Sequence, residues 1–322
     1  MTYSRIVGTG RYLPEKIMTN VDLEKIVDTT DEWIRTRTGV ERRHVCADDQ
    51  TTSDMCIEAA KVAMDDAGVT PDDIDMVITG TTTPDLIFPN ISTIIQHKLG
   101  IPACTAFSLE AACTGFIYAL TTADKFIKAG EAKCALVIGA ECITKLVDWS
   151  DRNTCVLFGD GAGAVILKPS DKPGIISCHL GADGQYKDLL YYPFGASNNL
   201  AAAGTDAGRI MMTGNDVFKV AVKKLGQIAS ETLEDAGVTK EELDWLVPHQ
   251  ANIRIIQAMA KRLDMPMEKV VLTVQDHGNT SAASVPLALD VGIRDGRLKP
   301  GQLILMEAFG GGFTWGSVLM RL

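Results

Sequence analysis

Two stretches of the chain repeat one pattern of helix, turn and strand. Residues 59–77 read AAKVAMDDAGVTPDDIDMV, and residues 228–246 read IASETLEDAGVTKEELDWL. Asp66 aligns with Asp235, 169 residues later. In each stretch, apolar residues at helical spacing end at a glycine, and a short apolar run typical of a strand follows. The match indicates that the chain contains one structural unit twice.

The repeat continues downstream at the same offset. ACTGFIYAL at residues 112–120 falls on SAASVPLAL at residues 281–289, and CALVIGA at residues 134–140 falls on LILMEAF at residues 303–309. Three successive matches at one offset argue for duplication of the whole unit.

The offset then shortens, which locates an insertion. GDGAGAVIL from Gly159 best matches GFTWGSVLM from Gly312, only 153 residues later. The first half therefore has about 16 extra residues, which we place around residues 141–155.

Helices alternate with short apolar strands in both halves, which is typical of layered α/β structure. The duplication predicts two similar sheets packed through shared helices. We expect a first domain at residues 1–172 and a second at residues 173–322, with the seam in the proline-containing stretch at residues 169–173.

Composition excludes several classes of protein. The 322 residues, 46% hydrophobic and 22% charged, are typical of a globular protein and not of a disordered chain. A net charge of −10 argues against nucleic-acid binding through bulk charge but leaves room for a local basic surface. No apolar run approaches the roughly 18 residues of a membrane span, and no secretory pattern begins the chain, so we expect a cytoplasmic protein.

Cofactor and metal motifs are missing from the sequence. The eight cysteines include no Cys-x-x-Cys pair and none grouped with histidine, so we expect reduced thiols and no metal site. Gly8 and Gly10 lack the third glycine of a dinucleotide fingerprint, and no phosphate-binding Gly-Lys-Ser/Thr is present. We therefore expect no bound cofactor.

Cys113 is a candidate nucleophile. It lies in EAACTGF, between a predicted strand and a predicted buried helix, and its small neighbours allow a sharp turn. The N-terminus of a helix can lower a thiol pKa from about 8.5 to roughly 3.5–7.5, which favours the reactive thiolate. The alternative is that Cys113 is one of eight core thiols.

His249 and Asn279 are candidate partners of Cys113. His249 follows a predicted strand in WLVPHQAN, and Asn279 precedes by three residues Ala282, the residue that aligns with Cys113. Both turns should therefore meet at the pseudo-twofold axis. The glycines at residues 310–312 allow the backbone to approach a substrate closely. The alternatives are ordinary turn residues and a plain hairpin.

Several motifs resemble one enzyme family. EAACTGF, WLVPHQANIR, HGNTSAAS, EAFGGGFTWGS and DEWIRTRTG are similar to motifs of beta-ketoacyl-acyl carrier protein synthase III, a thiolase-fold family that starts fatty-acid synthesis. The resemblance spans the chain and implies a homodimer of five-layer αβαβα subunits with two mixed sheets, acting on acyl-CoA and malonyl-acyl carrier protein. It implies that Cys113 is the nucleophile, that His249 and Asn279 complete the site, and that the N–H groups of Cys113 and Gly311 form an oxyanion hole.

The same resemblance implies how coenzyme A and the second subunit are contacted. Trp33 and Arg152 resemble a pair that stacks on adenine, Arg37 resembles a phosphate contact, and Phe88 resembles a residue that reaches across the dimer to close the partner's acyl pocket. An aromatic face and a guanidinium plane suit a purine, and a cation suits phosphate. The alternatives are a core or interface tryptophan and solvated arginines.

Acyl carrier proteins are acidic, so an acidic enzyme needs a local basic surface to bind them. On the predicted helix at residues 252–263, Arg254 and Lys261 share one face, with Arg262 beside them and Lys219 on the preceding helix. The alternative is an ordinary solvated helix face.

Three other functions remain open at the sequence level. Cys, His and Asn occur in the order found in papain-like hydrolases, but no Cys-Trp element follows Cys113 and the chain is duplicated. Another thiolase-fold condensing enzyme would make an alkylquinolone, polyketide or hydroxymethylglutaryl product. A scaffold for carrier proteins without activity would not need the three candidate catalytic residues.

Overall fold

The computed structural model describes residues 2–198 and 208–322. The helices are α1 (Asn20–Leu23), α2 (Asp31–Thr38), α3 (Thr52–Ala67), α4 (Ile91–Lys98), α5 (Gly115–Lys128), α6 (Gly214–Ala236), α7 (Ile253–Arg262), α8 (Val274–His277) and α9 (Ser284–Arg294). The strands are β1 (Tyr3–Tyr12), β2 (Ile17–Thr19), β3 (Arg42–His44), β4 (Met76–Gly80), β5 (Thr105–Leu109), β6 (Ala135–Glu141), β7 (Gly161–Ser170), β8 (Ile175–Ala182), β9 (Leu190–Tyr191), β10 (Met211–Met212), β11 (Trp245–Pro248), β12 (Leu303–Gly310) and β13 (Thr314–Arg321).

The two large sheets have the same topology. The first has the order β1-β7-β6-β4-β5, and the second has the order β8-β13-β12-β11. In the first sheet β4 is parallel to both β6 and β5, and in the second β11 is parallel to β12; the other pairs of both sheets are antiparallel. Val270, bridged in parallel to Leu246, takes the place of β5 in the second sheet. The predicted duplication is confirmed.

Five layers are stacked in the order helix, sheet, helix, sheet, helix. Helices α5 and α9 lie between the sheets, where Phe116 and Leu289 pack with strand residues such as Ile78 and Ile304. Helices α3 and α4 cover the outer face of the first sheet, and α6 and α7 cover that of the second. Because each sheet buries both faces, its central strands are apolar along their length. The predicted αβαβα class is confirmed.

The equivalent helices of the two halves also end in the same way. Helices α3 and α6 both end at a glycine in the left-handed region, Gly68 with φ 61° and Gly237 with φ 64°. Glycine adopts this conformation without the Cβ clash that other residues meet. Helix α3 begins at Thr52, seven residues before the repeated stretch, because Thr51 and Asp54 form a capping box there.

The insertion lies where the shortened offset indicates. Residues 142–160 connect β6 to β7, whereas residues 311–313 make the equivalent connection from β12 to β13, a difference of 16 residues. The longer connection reaches across to the second half. The predicted domain boundary after residue 172 falls in the short connection between β7 and β8 and stays a prediction.

Two further sequence predictions concern the chain as a whole. All eight cysteines are unpaired thiols. Within residues 2–198 and 208–322, no helix is both long enough and apolar enough to cross a membrane.

Candidate active site

Two strained turns meet at the pseudo-twofold axis. Cys113 lies in a 3-10 turn at Ala112–Thr114 before α5, and an equivalent turn at Ser281–Ala283 precedes α9. Ala112 and Ser281, which are equivalent in the repeat, have φ values of 46° and 49°. Side chains other than glycine rarely adopt this left-handed conformation, and such strain is concentrated at functional sites.

A cavity of about 830 Å³ opens beside these turns. Cys113, His249 and Asn279 all line it, so the structure brings the three predicted catalytic residues together. Cys113 follows the C-terminal end of β5, and His249 follows the C-terminal end of β11. The Asn279 N–H donates to the carbonyl oxygen of Leu157 at 2.8 Å, which ties Asn279 to the insertion of the first half.

The orientation of the Asn279 amide is fixed by its neighbour. Its Oδ1 accepts a hydrogen bond from the Ser281 N–H at 2.9 Å. The Nδ2 group is therefore left to donate into the cavity.

His249 is a neutral imidazole whose Nδ1 contacts a serine hydroxyl. Burial lowers the pKa of His249 to about 3. Its Nδ1 is hydrogen-bonded to the Ser284 hydroxyl, which already accepts from the Gln250 N–H at 3.3 Å. In the tautomer with its proton on Nε2, His249 accepts from Ser284 at Nδ1 and presents an N–H donor to the cavity.

Gln250 holds the loop that carries His249, a role that sequence reasoning missed. Its Nε2 donates to the carbonyl oxygens of Pro248 at 2.8 Å and Val271 at 3.0 Å. Its Oε1 accepts from the N–H groups of Thr273 and Val274. A fully buried side chain with four such bonds fixes the end of β11 against the segment before α8.

The predicted lowering of the Cys113 pKa is wrong. Burial raises the pKa of the thiol to about 12, and the negative charges of Glu141 and Glu110 add to the effect. A hydrogen bond with Ser281 opposes it only in part. The sequence places Cys113 near a helix N-terminus but does not reveal how completely distant segments cover it. At neutral pH, Cys113 is a thiol that needs a proton acceptor.

The glycine hairpin between β12 and β13 forms a wall of the cavity beside Cys113. A Cβ added at Gly310 would lie 2.6 Å from the Cys113 backbone nitrogen, and one at Gly311 would lie 3.6 Å from the Ala112 Cβ. Only glycine lets this backbone approach Cys113 so closely. The residues are therefore both a hairpin turn and a lining element.

The three residues predicted to contact coenzyme A meet at the mouth of the cavity. The guanidinium carbons of Arg37 and Arg152 lie 4.8 Å and 4.9 Å from the centre of the Trp33 ring. Arg152 also donates to the carbonyl oxygen of Asp28 at 3.0 Å. An aromatic ring flanked by cations is suited to a purine that carries phosphates. For the purine to stack on Trp33, one guanidinium group has to move off the ring.

Comparison with known proteins decides the family. The model for 3-oxoacyl-[acyl-carrier-protein (ACP)] synthase III matches residues 107–184, and the model for its C-terminal part matches residues 233–322. A beta-ketoacyl-[acyl-carrier-protein] synthase III of Xanthomonas campestris pv. campestris is 60% identical over 319 residues, covering 99% of this chain and 98% of that relative. The chain belongs to the beta-ketoacyl-acyl carrier protein synthase III family.

Solved structures agree with this assignment. The 3-oxoacyl-[acyl-carrier-protein] synthase III of Aquifex aeolicus VF5 has a TM-score of 0.93 at 48% identity, covering 99% of this chain and 100% of that one. The priming beta-ketosynthase of the R1128 polyketide biosynthetic pathway has a TM-score of 0.94 at 38% identity, covering 99% and 96%. The chain is an acyl-transferring condensing enzyme. The higher identity to the fatty-acid family does not favour the alternative of a secondary-metabolite enzyme.

Phe88 of this synthase lies on an exposed apolar loop between β4 and α4. Its side chain is 83% exposed, and Leu86 and Ile87 beside it are also exposed. Phe88 does not line the cavity beside Cys113. Its predicted contact with a second subunit stays a prediction.

The basic residues predicted to bind the carrier protein lie on one surface of the synthase. Arg254, Lys261 and Arg262 are exposed on α7, and across the described residues none of them has an acidic partner within 4 Å. Arg262 packs over Gly226 of α6, which joins the two helices into one surface. Lys219 on α6 is also exposed but pairs with Asp216 at 3.2 Å.

Glu307 is a buried acid that the sequence did not single out. It lines the cavity from β12, and neither carboxyl oxygen has a hydrogen-bond partner among the described residues. Burial raises the pKa of Glu307 to about 8. The side chain is therefore mostly protonated at neutral pH. Its position in an apolar strand gave no sign that it faces a cavity.

Glu307→Gln should change how the stability of the synthase depends on pH. The folded state binds the Glu307 proton more tightly than the unfolded chain does, so the wild type loses stability as pH rises from about 5 to 8. Glutamine cannot ionise and removes this loss. We expect the free energy of unfolding of the variant, relative to wild type, to rise by on the order of 3 kcal/mol over that range.

Denaturant unfolding at pH 5 and pH 8 measures this change. Glu131→Gln, a substitution of an exposed carboxyl, is the matched control and should change the difference by less than about 0.5 kcal/mol. An equal difference at both pH values for Glu307→Gln would show that Glu307 is ionised in the folded protein.

Proposed function

We propose that the enzyme transfers an acyl group from a short acyl-CoA to Cys113 and condenses it with malonyl-acyl carrier protein, which starts fatty-acid synthesis. One observation carries the proposal. His249 and Asn279 both line the cavity with Cys113, Asn279 has its Nδ2 donor left for a ligand, and neutral His249 supplies a second donor in the tautomer that accepts from Ser284. Uncharged donors are what a decarboxylating malonyl thioester requires.

The first step forms the acyl enzyme. The Cys113 sulfur attacks the thioester carbonyl, and coenzyme A leaves as its thiol. The tetrahedral oxygen becomes negatively charged and is held by the N–H groups of Cys113 and Gly311; the close approach of the Gly310 backbone to Cys113 supports this assignment. One such donor contributes about 2.7–4 kcal/mol of transition-state stabilisation in a measured case.

The second step consumes the malonyl thioester. Loss of carbon dioxide leaves an enolate, whose carbon attacks the acyl group on Cys113. The enolate oxygen is stabilised by donors without negative charge, which His249 Nε2 and Asn279 Nδ2 supply. An aspartate at position 279 would repel the enolate.

Coenzyme A enters at the cavity mouth in this proposal. Trp33 and Arg152 hold the adenine, and Arg37 binds a phosphate. The stacking of both guanidinium groups on Trp33 supports an aromatic site, and Arg152 must leave the ring for adenine to replace it.

A homodimer completes the site in the same proposal. The exposed loop with Leu86, Ile87 and Phe88 supplies an apolar surface that a second copy covers, with Phe88 closing the partner's acyl pocket. Sedimentation of the purified protein measures its mass in solution.

Radiolabelled acetyl-CoA tests the proposed function. The wild type should acquire one acetyl group, recovered on the peptide that contains Cys113, and then convert malonyl-acyl carrier protein into beta-ketoacyl-acyl carrier protein. A stable label without condensation product would contradict the second step. Absence of any label would contradict the proposed function as a whole.

Charge reversal on α7 tests the carrier-binding surface. Since an acidic carrier is attracted by Arg254 and Lys261, Arg254→Glu with Lys261→Glu should raise KM for malonyl-acyl carrier protein by about tenfold or more at low salt. Acetyl-CoA kinetics should change little. Steady-state kinetics at two ionic strengths measure both effects.

The matched control reverses two exposed lysines elsewhere, Lys61→Glu on α3 and Lys172→Glu between β7 and β8. Helix α3 lies in the opposite outer layer, so this variant should keep the wild-type KM for the carrier. Insensitivity of KM to both the α7 reversal and ionic strength would show that the carrier binds elsewhere.

A further inference from the structure

The two halves of the chain differ at one pair of equivalent positions beside the active site. Glu141 at the end of β6 aligns with Gly310 at the end of β12, at the offset of 169 residues. Gly310 lies against the Cys113 turn, where an added Cβ would be 2.6 Å from the Cys113 nitrogen. Glu141 instead places a carboxyl against the turn at Ser281–Ala283. Only the turn that follows Asn279 therefore meets a side chain at this position.

Glu141 is held by donors from both halves. It is fully buried, and it accepts from the Thr82 N–H at 3.0 Å, the Thr82 hydroxyl at 2.9 Å and the Thr83 hydroxyl at 2.7 Å. The Ser281 hydroxyl donates to its Oε1 at 3.3 Å. A buried carboxyl with four such bonds is fixed in place. Glu141 therefore joins β6 and the segment after β4 to the turn before α9.

The turn that Glu141 contacts also sets the orientation of Asn279. The Ser281 N–H donates to Asn279 Oδ1 at 2.9 Å, while the Ser281 hydroxyl donates to Glu141. A Cβ added at Gly139 would clash with the Ala282 carbonyl oxygen, so the turn lies directly against β6. A shift of this turn relative to β6 would therefore carry the Asn279 amide with it.

The equivalent turn beside Cys113 forms without a hydroxyl. Ala112, the equivalent of Ser281, has a φ of 46° against 49°. Its N–H donates to Glu110 Oε1 at 3.0 Å, and Glu110 aligns with Asn279. The left-handed turn and the bond to the side chain two residues earlier are thus available to alanine. The Ser281 hydroxyl is not needed to form the turn, and what it adds is the bond to Glu141.

We propose that Glu141 is a positioning residue for condensation, which through Ser281 holds the Asn279 amide where the enolate oxygen forms. This inference rests on the proposed two-step function. Glu141 does not line the cavity, so it acts through Asn279 and not on the substrate. Misplacement of a catalytic group by about 1 Å can lower a rate by about 10²-fold, so a bond that fixes this amide affects the rate.

Ser281→Ala tests the positioning role, because the repeat indicates that alanine keeps the turn. We expect decarboxylation of malonyl-acyl carrier protein by the acetylated enzyme to slow by about tenfold. Acylation by acetyl-CoA should change by less than about twofold, since Asn279 is proposed to act only on the enolate. Glu141→Ala removes the acceptor itself and should separate the two half-reactions in the same way. Release of labelled carbon dioxide and formation of the acyl adduct measure the two rates.

A double-mutant cycle shows whether Ser281 acts through Asn279. Added to Asn279→Ala, the change Ser281→Ala should slow decarboxylation by less than about twofold further, because the amide that it positions is already absent. The matched control is Ser177→Ala in β8, which removes another buried hydroxyl that donates to a carboxyl, that of Asp235 at 2.7 Å. Ser177 does not line the cavity, so both half-reactions should stay within about twofold of the wild type.

The outcomes separate this inference from the function on which it rests. If the wild type acquires no acetyl group or does not decarboxylate the malonyl thioester, the proposed function fails. The positioning role alone is overturned if Ser281→Ala decarboxylates at the wild-type rate or slows both half-reactions equally. A full tenfold effect of Ser281→Ala in the Asn279→Ala variant would overturn it as well. Circular dichroism checks folding, and Ser281→Ala decides the matter if Glu141→Ala does not fold.

Discussion

Cys113→Ser is expected to abolish acyl transfer, with a loss of at least about 10⁴-fold. Serine fits the same space, so the fold should persist. A hydroxyl gives up its proton much less readily than a thiol, so the serine oxygen is a far weaker nucleophile towards a thioester near neutral pH.

Mass spectrometry of the protein after incubation with acetyl-CoA measures the acyl adduct directly. Cys104→Ser, the same chemical change in a half-buried thiol beside β5, is the matched control and should be acylated like the wild type. An adduct on Cys113→Ser formed at the wild-type rate would contradict the assignment of the nucleophile. Circular dichroism of both variants should match that of the wild type.

His249→Ala and Asn279→Ala are expected to separate the two half-reactions. Each removes one uncharged donor from the enolate, so decarboxylation of malonyl thioester should fall by about 10²–10³-fold. Acylation of Cys113 should survive in both variants, because both side chains are proposed to act on the enolate of the second step. Release of labelled carbon dioxide and formation of the acyl adduct measure the two steps independently.

Asn279→Asp refines this test. An aspartate keeps the oxygen that accepts from the Ser281 N–H, and it replaces only the Nδ2 donor by a negatively charged oxygen. Decarboxylation should be lost at least as completely as in Asn279→Ala. Equal collapse of acylation and decarboxylation in the His249 and Asn279 variants would instead make the histidine the base for Cys113.

The fold was largely predictable from the sequence, because duplication doubles each local signal. One sequence pattern predicts a helix that ends at Gly68, and its repeat predicts a helix that ends at Gly237. The two copies strengthen the same prediction, and both helices occur as predicted. The length of the insertion followed from the change in offset alone. The spacing of apolar residues and the residues that begin and end helices are local properties of the sequence. They can therefore be recognised without coordinates.

The candidate catalytic residues were predictable for a related reason. Cys113 and His249 follow the ends of strands, and Asn279 precedes the equivalent of Cys113, so the repeat itself places them near one axis. The motifs around them are long enough to resemble one family. The pKa of Cys113 could not be predicted from the sequence. Its place before a helix suggested a lowered pKa, whereas burial raises it.

The sequence by itself therefore determined the duplicated architecture, the family and the three candidate catalytic residues. Tertiary structure alone decided that Ser281 donates to the buried Glu141, that Ser284 is hydrogen-bonded to His249 Nδ1, and that Glu307 faces the cavity. The reason is physical: helix and strand patterns depend on neighbours a few residues apart, but desolvation and hydrogen bonding depend on segments as far apart as the 140 residues between Glu141 and Ser281.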